Sequence, residues 1–318
     1  MSGPLLVLAN LAGLLGVIGV VVLLVRLGSY MLRLALGRNG HRRLANLTAR
    51  ALMYTAAAVA LLPLSLVLLF TVTKGLPAIT HIEFFVNVER PVGIPGAGIA
   101  HAFVGTIVMV GIASLLAIPV GVVSGVQLVE YGTGRLGDTV RLACDVLVGI
   151  PSIVIGLFVY ALIVERFKFS GYSASVALAV LMLPVVVRTT EAAVALVPGT
   201  LREAGLALGL PRWRVSLQLI LPAAIPGVVT GALLAVARAA GETAPLLFTA
   251  FGNRFLSFDP SKAMSALPLI VYRDALTPYP DLVETAWGAA LVLVLLTLLV
   301  NVASRLALRR QIRLAGQI

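Results

Sequence analysis

The stretch that decides the fold runs from Glu203 to Ala224, EAGLALGLPRWRVSLQLILPAA, a polar, arginine-bearing insert between long apolar runs. Gly209 and Pro211 break an otherwise helical pattern, because glycine opens backbone conformations that other residues avoid and proline removes a donor. Two short helices are expected, over 201 to 208 and 212 to 219, joined by a turn. A hairpin of that shape can lie as an amphipathic element on a membrane surface, or it can plug into a groove on a partner.

Outward from this insert, composition sets the solvent. Of 318 residues, 60% are hydrophobic and 12% charged, and the mean hydropathy is +1.06, whereas soluble domains are about one quarter charged. The apolar residues fall into runs of about 20, the length that crosses a bilayer as helix. Seven spans are expected, near 4 to 27, 51 to 73, 101 to 128, 141 to 165, 173 to 196, 223 to 250 and 283 to 305. The fold class is therefore all-α, a polytopic membrane helical bundle.

A net charge of +11 could indicate nucleic acid, but the basic residues cluster in alternate loops. Six arginines and no acid lie from Arg26 to Arg50, and the tail carries Arg305, Arg309, Arg310 and Arg313, again without an acid. Segments of that kind stay in the cytoplasm. The loops with Lys74 and Arg90 against Glu83 and Glu89, and with Arg254, Lys262 and Arg273 against Asp259, Asp274 and Asp281, are balanced and face outward. Seven spans then place the N-terminus outside and both the Glu203 insert and the C-terminus inside. Residues 129 to 140 and 166 to 172 fit this pattern poorly and are outvoted by the longer segments. No positive charge precedes the first apolar stretch, so it is expected to remain as a helix rather than be cleaved as a signal. Cys144 is the only cysteine and falls within a span, which excludes an intramolecular disulfide and a cysteine metal site. His41, His81 and His101 are scattered, and no metal site is expected.

Charge inside the spans is the second informative feature. Arg188 and Glu191 are three residues apart and Arg238 and Glu242 four, so each pair shares a helix face. An ionised side chain facing lipid costs about 2.5 to 3.5 kcal/mol, and four would cost on the order of 10 kcal/mol. These residues must face protein or water. They either neutralise each other as packing elements or line a polar path. Two arginines at similar depth would suit an oxyanion, because guanidinium presents forked donors and stays charged. Pro119, Pro151, Pro184 and Pro245 each favour a kink, which serves as a hinge or is a tolerated irregularity. Pro184 and Pro245 are the better hinge candidates, lying within one turn of a charged residue.

Other classes fit less well. An enzyme acting on a phosphorylated lipid would need paired carboxylates at a membrane edge to hold Mg²⁺, and none appear. An ion-coupled secondary transporter should show inverted repeats and would leave the Glu203 insert unexplained. The only lysines, Lys74, Lys168 and Lys262, lie outside any G-x-x-x-x-G-K-[ST] pattern, so the chain has no P-loop with which to hold ATP.

Glu203, Ala204, Gly205 and Gly209 match the start of the EAA loop of ABC-importer permeases of the MetI-like fold. Leu219, Leu221 and Pro222 match its close, with Gly205 in place of the second Ala and Leu in place of Ile. The segments RTTEAAVALVPGTLREAGLALG (188–209), ARAAGETAPLLFTA (237–250) and GIPSIVIGLFVYALIV (149–164), with FSG following, resemble the A-type inner-membrane permease subunit of phosphate-specific (Pst) ABC importers. The resemblance runs from about 50 to 310. It implies a six-helix permease domain over 51 to 310 with a cytoplasmic coupling loop at 201 to 222. Residues 1 to 50 add a transmembrane helix and a basic cytoplasmic loop, and 311 to 318 form a basic cytoplasmic tail.

The resemblance further implies a multi-pass subunit of the cell inner membrane that forms half the translocation path of an ATP-driven importer of inorganic phosphate. The implied partners are a homologous second permease in a heterodimer, an ATPase dimer that binds ATP and Mg, a periplasmic or extracellular phosphate-binding protein, and membrane lipid. It implies no nucleic acid and no cofactor in this chain. Pathway roles would fall to Arg188, Glu191, Arg238, Glu242 and Thr243, and coupling roles to Arg202, Glu203, Ala204, Gly205, Gly209 and Pro222. No catalytic or metal-binding residue is implied. Permeases for sulfate, molybdate or amino acids would share fold and loop, and the resemblance alone selects phosphate.

Overall fold

In the computed structural model, residues 40 to 315 are described apart from 95 and 133, together with scattered positions between 19 and 30. The expected span from 4 to 27 lies mainly outside the described residues. Compactness divides the chain into Met1–Leu69 and Phe70–Ile318. The described residues contain helices and no strand, only an isolated bridge between Phe251 and Met264. In chain order the helices are α1 (Gly40–Ile79), α2 (Ile82–Val86), α3 (Ala100–Glu130), α4 (Arg135–Gly149), α5 (Ser152–Phe167, with a π turn at Tyr160–Val164), α6 (Gly171–Ala195), α7 (Gly199–Ala207), α8 (Arg212–Ala240), α9 (Ala244–Thr249), α10 (Leu267–Asp274) and α11 (Pro280–Ala315).

Five helices are long and apolar enough to cross a bilayer: Ala45–Ile79, Ala100–Glu130, Gly171–Ala195, Arg212–Ala240 and Pro280–Val302. A sixth crossing requires α4 and α5 to be counted together, and they meet at 102°. The expected straight span from 141 to 165 is therefore broken. The cause is local: Pro151 disfavours helical backbone at the residue before it, and Ile150 is extended at φ −71°, ψ 129°. The expected span from 223 to 250 is also interrupted. Its helix starts earlier, at Arg212, and stops at Ala240; Gly241, Glu242 and Thr243 form a break, and α9 begins with Pro245 in its first turn, where a missing N–H costs nothing.

Within the larger unit α6 is the enclosed helix. Its most apolar window is 61% buried, against 28% for α3 and 33% for α8, so charges on α6 have protein on most sides. Its neighbours approach closely because small residues line the contacts, as membrane packing requires where no hydrophobic force acts between helices. A Cβ on Gly121 would lie 2.7 Å from Val186 and one on Gly125 2.6 Å from Thr190, which sets α3 parallel to α6. Gly231 meets Thr189 and Gly227 meets Ala193, which sets α8 antiparallel to α6. The core between them holds Met109, Ala113, Leu178, Met182, Val186, Ala235, Ala239 and Leu246.

Candidate translocation site and coupling loop

Arg188 and Glu191 meet on one face of α6, with Nη1 2.7 Å from Oε2. They are not alone. Arg141 of α4 places Nε 2.6 Å from the other oxygen of Glu191, and Asp145 of the same helix lies 3.2 Å from Nε of Arg188. Arg141 is itself tied down, donating to the carbonyls of Leu128 at 3.0 Å and Gly132 at 3.2 Å and pairing with Asp138 at 3.3 Å. Two arginines therefore share three carboxylates, and Arg188 is not a free cation in this arrangement. Sequence reasoning missed Asp138, Arg141 and Asp145. Their spacing of three and four residues puts them on one helix face, which was the available signal.

The second pair is looser. Arg238 Nε is 3.5 Å from Glu242 Oε1, and the arginine side chain is 48% exposed. Arg238 sits two residues before the end of α8, and Glu242 lies in the break that follows. Thr243 is the residue before α9, and its carbonyl accepts the N–H of Leu247 at 3.2 Å. The two arginines do not lie at one depth. In the register set by Gly231 on Thr189 and Gly227 on Ala193, Arg238 falls opposite Met182, about 9 Å along the axis from Arg188. Pro184 is buried within α6, and Pro245 is buried in the first turn of α9.

The Glu203 insert folds as α7, a turn at Gly209, and then the start of α8. Gly209 has φ +80°, a left-handed conformation that L side chains rarely adopt. Its N–H donates to Leu206 and that of Leu210 to Gly205, closing the turn. The second arm is not the separate short helix expected over 212 to 219. It runs through a π turn at Val215–Ile220 into the membrane helix, and Pro222 follows that turn, where the wider coil tolerates a residue without an N–H. Gly205 is buried beneath Leu219 and Val215, whose side-chain carbons would lie 2.7 and 2.9 Å from a Cβ, which accounts for glycine where the EAA pattern has Ala. Glu203 and Ala204 are exposed.

Arg202 points inward instead. Its Nε lies 2.8 Å from Glu130 Oε1 at the end of α3, and Nη1 and Nη2 donate to the carbonyls of Val197 and Val194 at 3.2 Å. Val194 is in the last turn of α6 and Val197 just beyond its C-cap, where cationic donors are favoured. Glu130 also accepts from Ser216 of α8 at 3.4 Å. Glu130, which fitted the charge pattern poorly, thus joins the loop to two membrane helices.

At the opposite end of the bundle Glu89 accepts from Arg273 at 2.6 Å and pairs with Arg254 at 3.0 Å, and Asp274 pairs with Arg273 at 2.7 Å. Burial works against the Arg273 charge, but the Asp274 and Glu89 carboxylates outweigh it and hold the guanidinium above its ordinary pKa.

Residues 117–313 match the model of the binding-protein-dependent transport system inner membrane component family. The chain is 41% identical over 267 residues to the phosphate transport system permease protein PstA of Pasteurella multocida, covering 83% of this chain and 95% of that protein. It is 42% identical to PstA of Xylella fastidiosa over 272 residues, 85% and 94% of the two chains, and 39% identical to PstA 1 of Mycobacterium tuberculosis over 269 residues, 83% and 88%. Among solved structures it is similar to the inward-facing MetNI methionine ABC transporter, with a TM-score of 0.56 and 22% identity over 65% of this chain and 92% of that one, a likeness of fold. An all-helical bundle with a Gly209 turn seated on α3, α6 and α8, matched over 117–313 and along most of its length by these permeases, belongs to the binding-protein-dependent transport system inner membrane components of ABC importers, in the PstA branch.

Proposed function

We propose that this chain is the permease subunit that passes inorganic phosphate through an ATP-driven importer. The observation that carries the substrate is the 39 to 42% identity to phosphate transport system permeases. The charged residues of α6 and α8 support a path: Arg188 is 39% and Arg238 48% exposed. A second, homologous permease would cover that open side, each chain supplying half the route in a heterodimer. Arg238 and Glu242, with Thr243 beside them, are the more available oxyanion site, and Arg188 and Glu191 the more heavily guarded one. Glu203, Ala204 and the Gly209 turn present the surface on which an ATPase dimer, carrying its own ATP and Mg, would act. Gly205, Arg202 and Pro222 shape that surface from behind, and Pro184 and Pro245 are where α6 and the α8–α9 junction would flex. The basic segments favour an orientation with the C-terminus and the coupling loop in the cytoplasm and the N-terminus outside, and a phosphate-binding protein would dock on the outer face.

The test is reconstitution with the second permease, the ATPase and the binding protein in liposomes. ATP-dependent accumulation of labelled phosphate that excess sulfate leaves intact is the expected result. Accumulation of sulfate in place of phosphate would overturn the substrate, and phosphate accumulation that needs no ATPase would overturn the permease assignment.

A further inference from the structure

Arg188 has three nitrogens and two occupants. Nη1 serves Glu191, while Nε and Nη2 both face Asp145, at 3.2 Å from Oδ1 and 3.4 Å from Oδ2. That side-on fork is the arrangement in which guanidinium takes two oxygens of a phosphate. The two carboxylates are held very differently. Glu191 is 15% exposed and fixed by Arg141 as well as Arg188, whereas Asp145 is 56% exposed and has Arg188 as its only ion pair among the described residues.

We propose that Asp145 is a substrate-mimicking latch: its carboxylate holds the free fork of Arg188 until the transported oxyanion displaces it, while Arg141 keeps Glu191 from taking its place. This rests on the phosphate-permease function proposed above and deepens it, by naming a residue that sets when and how tightly the path engages its anion. The division of labour follows from the geometry. If Glu191 were free to swing onto the fork, displacing Asp145 would expose nothing; Arg141, anchored to Leu128, Gly132 and Asp138, prevents that. Asp145 then competes with the anion as one carboxylate against one phosphate. It also keeps Arg188 and Arg141 from having to share Glu191 as their only carboxylate inside the spans when the path is empty, an excess of positive charge that a membrane setting penalises.

The experiment measures equilibrium binding of inorganic phosphate to the purified complete complex, in nanodiscs and without the binding protein. Asp145→Asn and Asp145→Ala, both at an exposed position, should bind phosphate about fivefold more tightly, the effect expected on losing a competing, solvent-screened ion pair. Asp145→Glu keeps the charge and should behave as the unaltered chain. The gain should vanish when Arg188→Gln is added to Asp145→Asn. An assembled neutral variant with unaltered phosphate affinity would overturn the latch, as would a gain that survives Arg188→Gln. ATP-driven uptake by the unaltered complex is measured alongside: its absence would count against the phosphate-permease function, whereas unaltered binding by the variants of a working importer counts against the latch alone.

Discussion

Arg202→Ala tests how the coupling loop is held. The arginine makes one ion pair with Glu130 and two hydrogen bonds to the end of α6. Removing it frees the two carbonyls to find water and leaves Glu130, 11% exposed, with a single long contact to Ser216. Breaking a fully buried pair costs roughly 3 to 5 kcal/mol and an exposed one below about 1. With Arg202 25% exposed, an intermediate cost of roughly 2 to 3 kcal/mol is expected. The loss falls on the loop, because the membrane helices keep their own packing. Amide hydrogen exchange at Leu208, Gly209 and Leu210, whose N–H groups close the turn, should accelerate about 30- to 150-fold, the same free energy expressed as local opening. Adding Glu130→Gln removes the orphaned charge and should return part of that protection. Exchange that stays within about threefold of the unaltered protein in Arg202→Ala would refute the staple.

Two further substitutions probe the backbone. Gly209→Val places a branched side chain at φ +80° and should cost at least about 1 to 2 kcal/mol. Since nothing lies within 4 Å of that position, the loss is conformational: Gly209→Asn, which tolerates left-handed backbone, should retain phosphate uptake where Gly209→Val loses most of it with the complex still in the membrane. Gly231→Val drives a side chain into Thr189 and should cost about 1 to 3 kcal/mol by overpacking, read as a lower melting midpoint of the purified complex; an unchanged midpoint would contradict the α6–α8 register.

The legible parts of the fold were the ones that depend on composition along the chain. Ala100–Glu130 and Gly171–Ala195 match the expected spans 101 to 128 and 173 to 196 within a few residues, because apolar length alone fixes them. Pro151 marks a kink in the sequence, but not that the corner at Ile150 is sharp enough to split the span in two, because the apolar run continues through it and hydropathy carries no backbone direction. The same holds for the break at Gly241 to Thr243, which interrupts backbone without interrupting hydrophobicity. In the site, the i,i+3 and i,i+4 pairs were visible as spacing, and both form. Partners from elsewhere in the chain were not: Arg141 reaches Glu191 across 50 residues, and Arg202 reaches Glu130 across 72. Such pairings depend on which helices become neighbours, and apolar length and spacing along one helix carry no information on that.

The central claim is that the charged residues within the spans carry the anion, and the pair at the end of α8 tests it most directly. Arg238→Gln alone leaves Glu242 without its partner, so a loss of uptake could reflect misassembly. Arg238→Gln with Glu242→Gln removes both charges and keeps side chains of similar length that can hydrogen-bond, so assembly should match the unaltered chain. The measurement is ATP-driven phosphate uptake by that assembled double variant in liposomes. A pathway role predicts that uptake falls to the level of liposomes without ATP, and uptake at the unaltered rate would show that Arg238 and Glu242 only brace the helix.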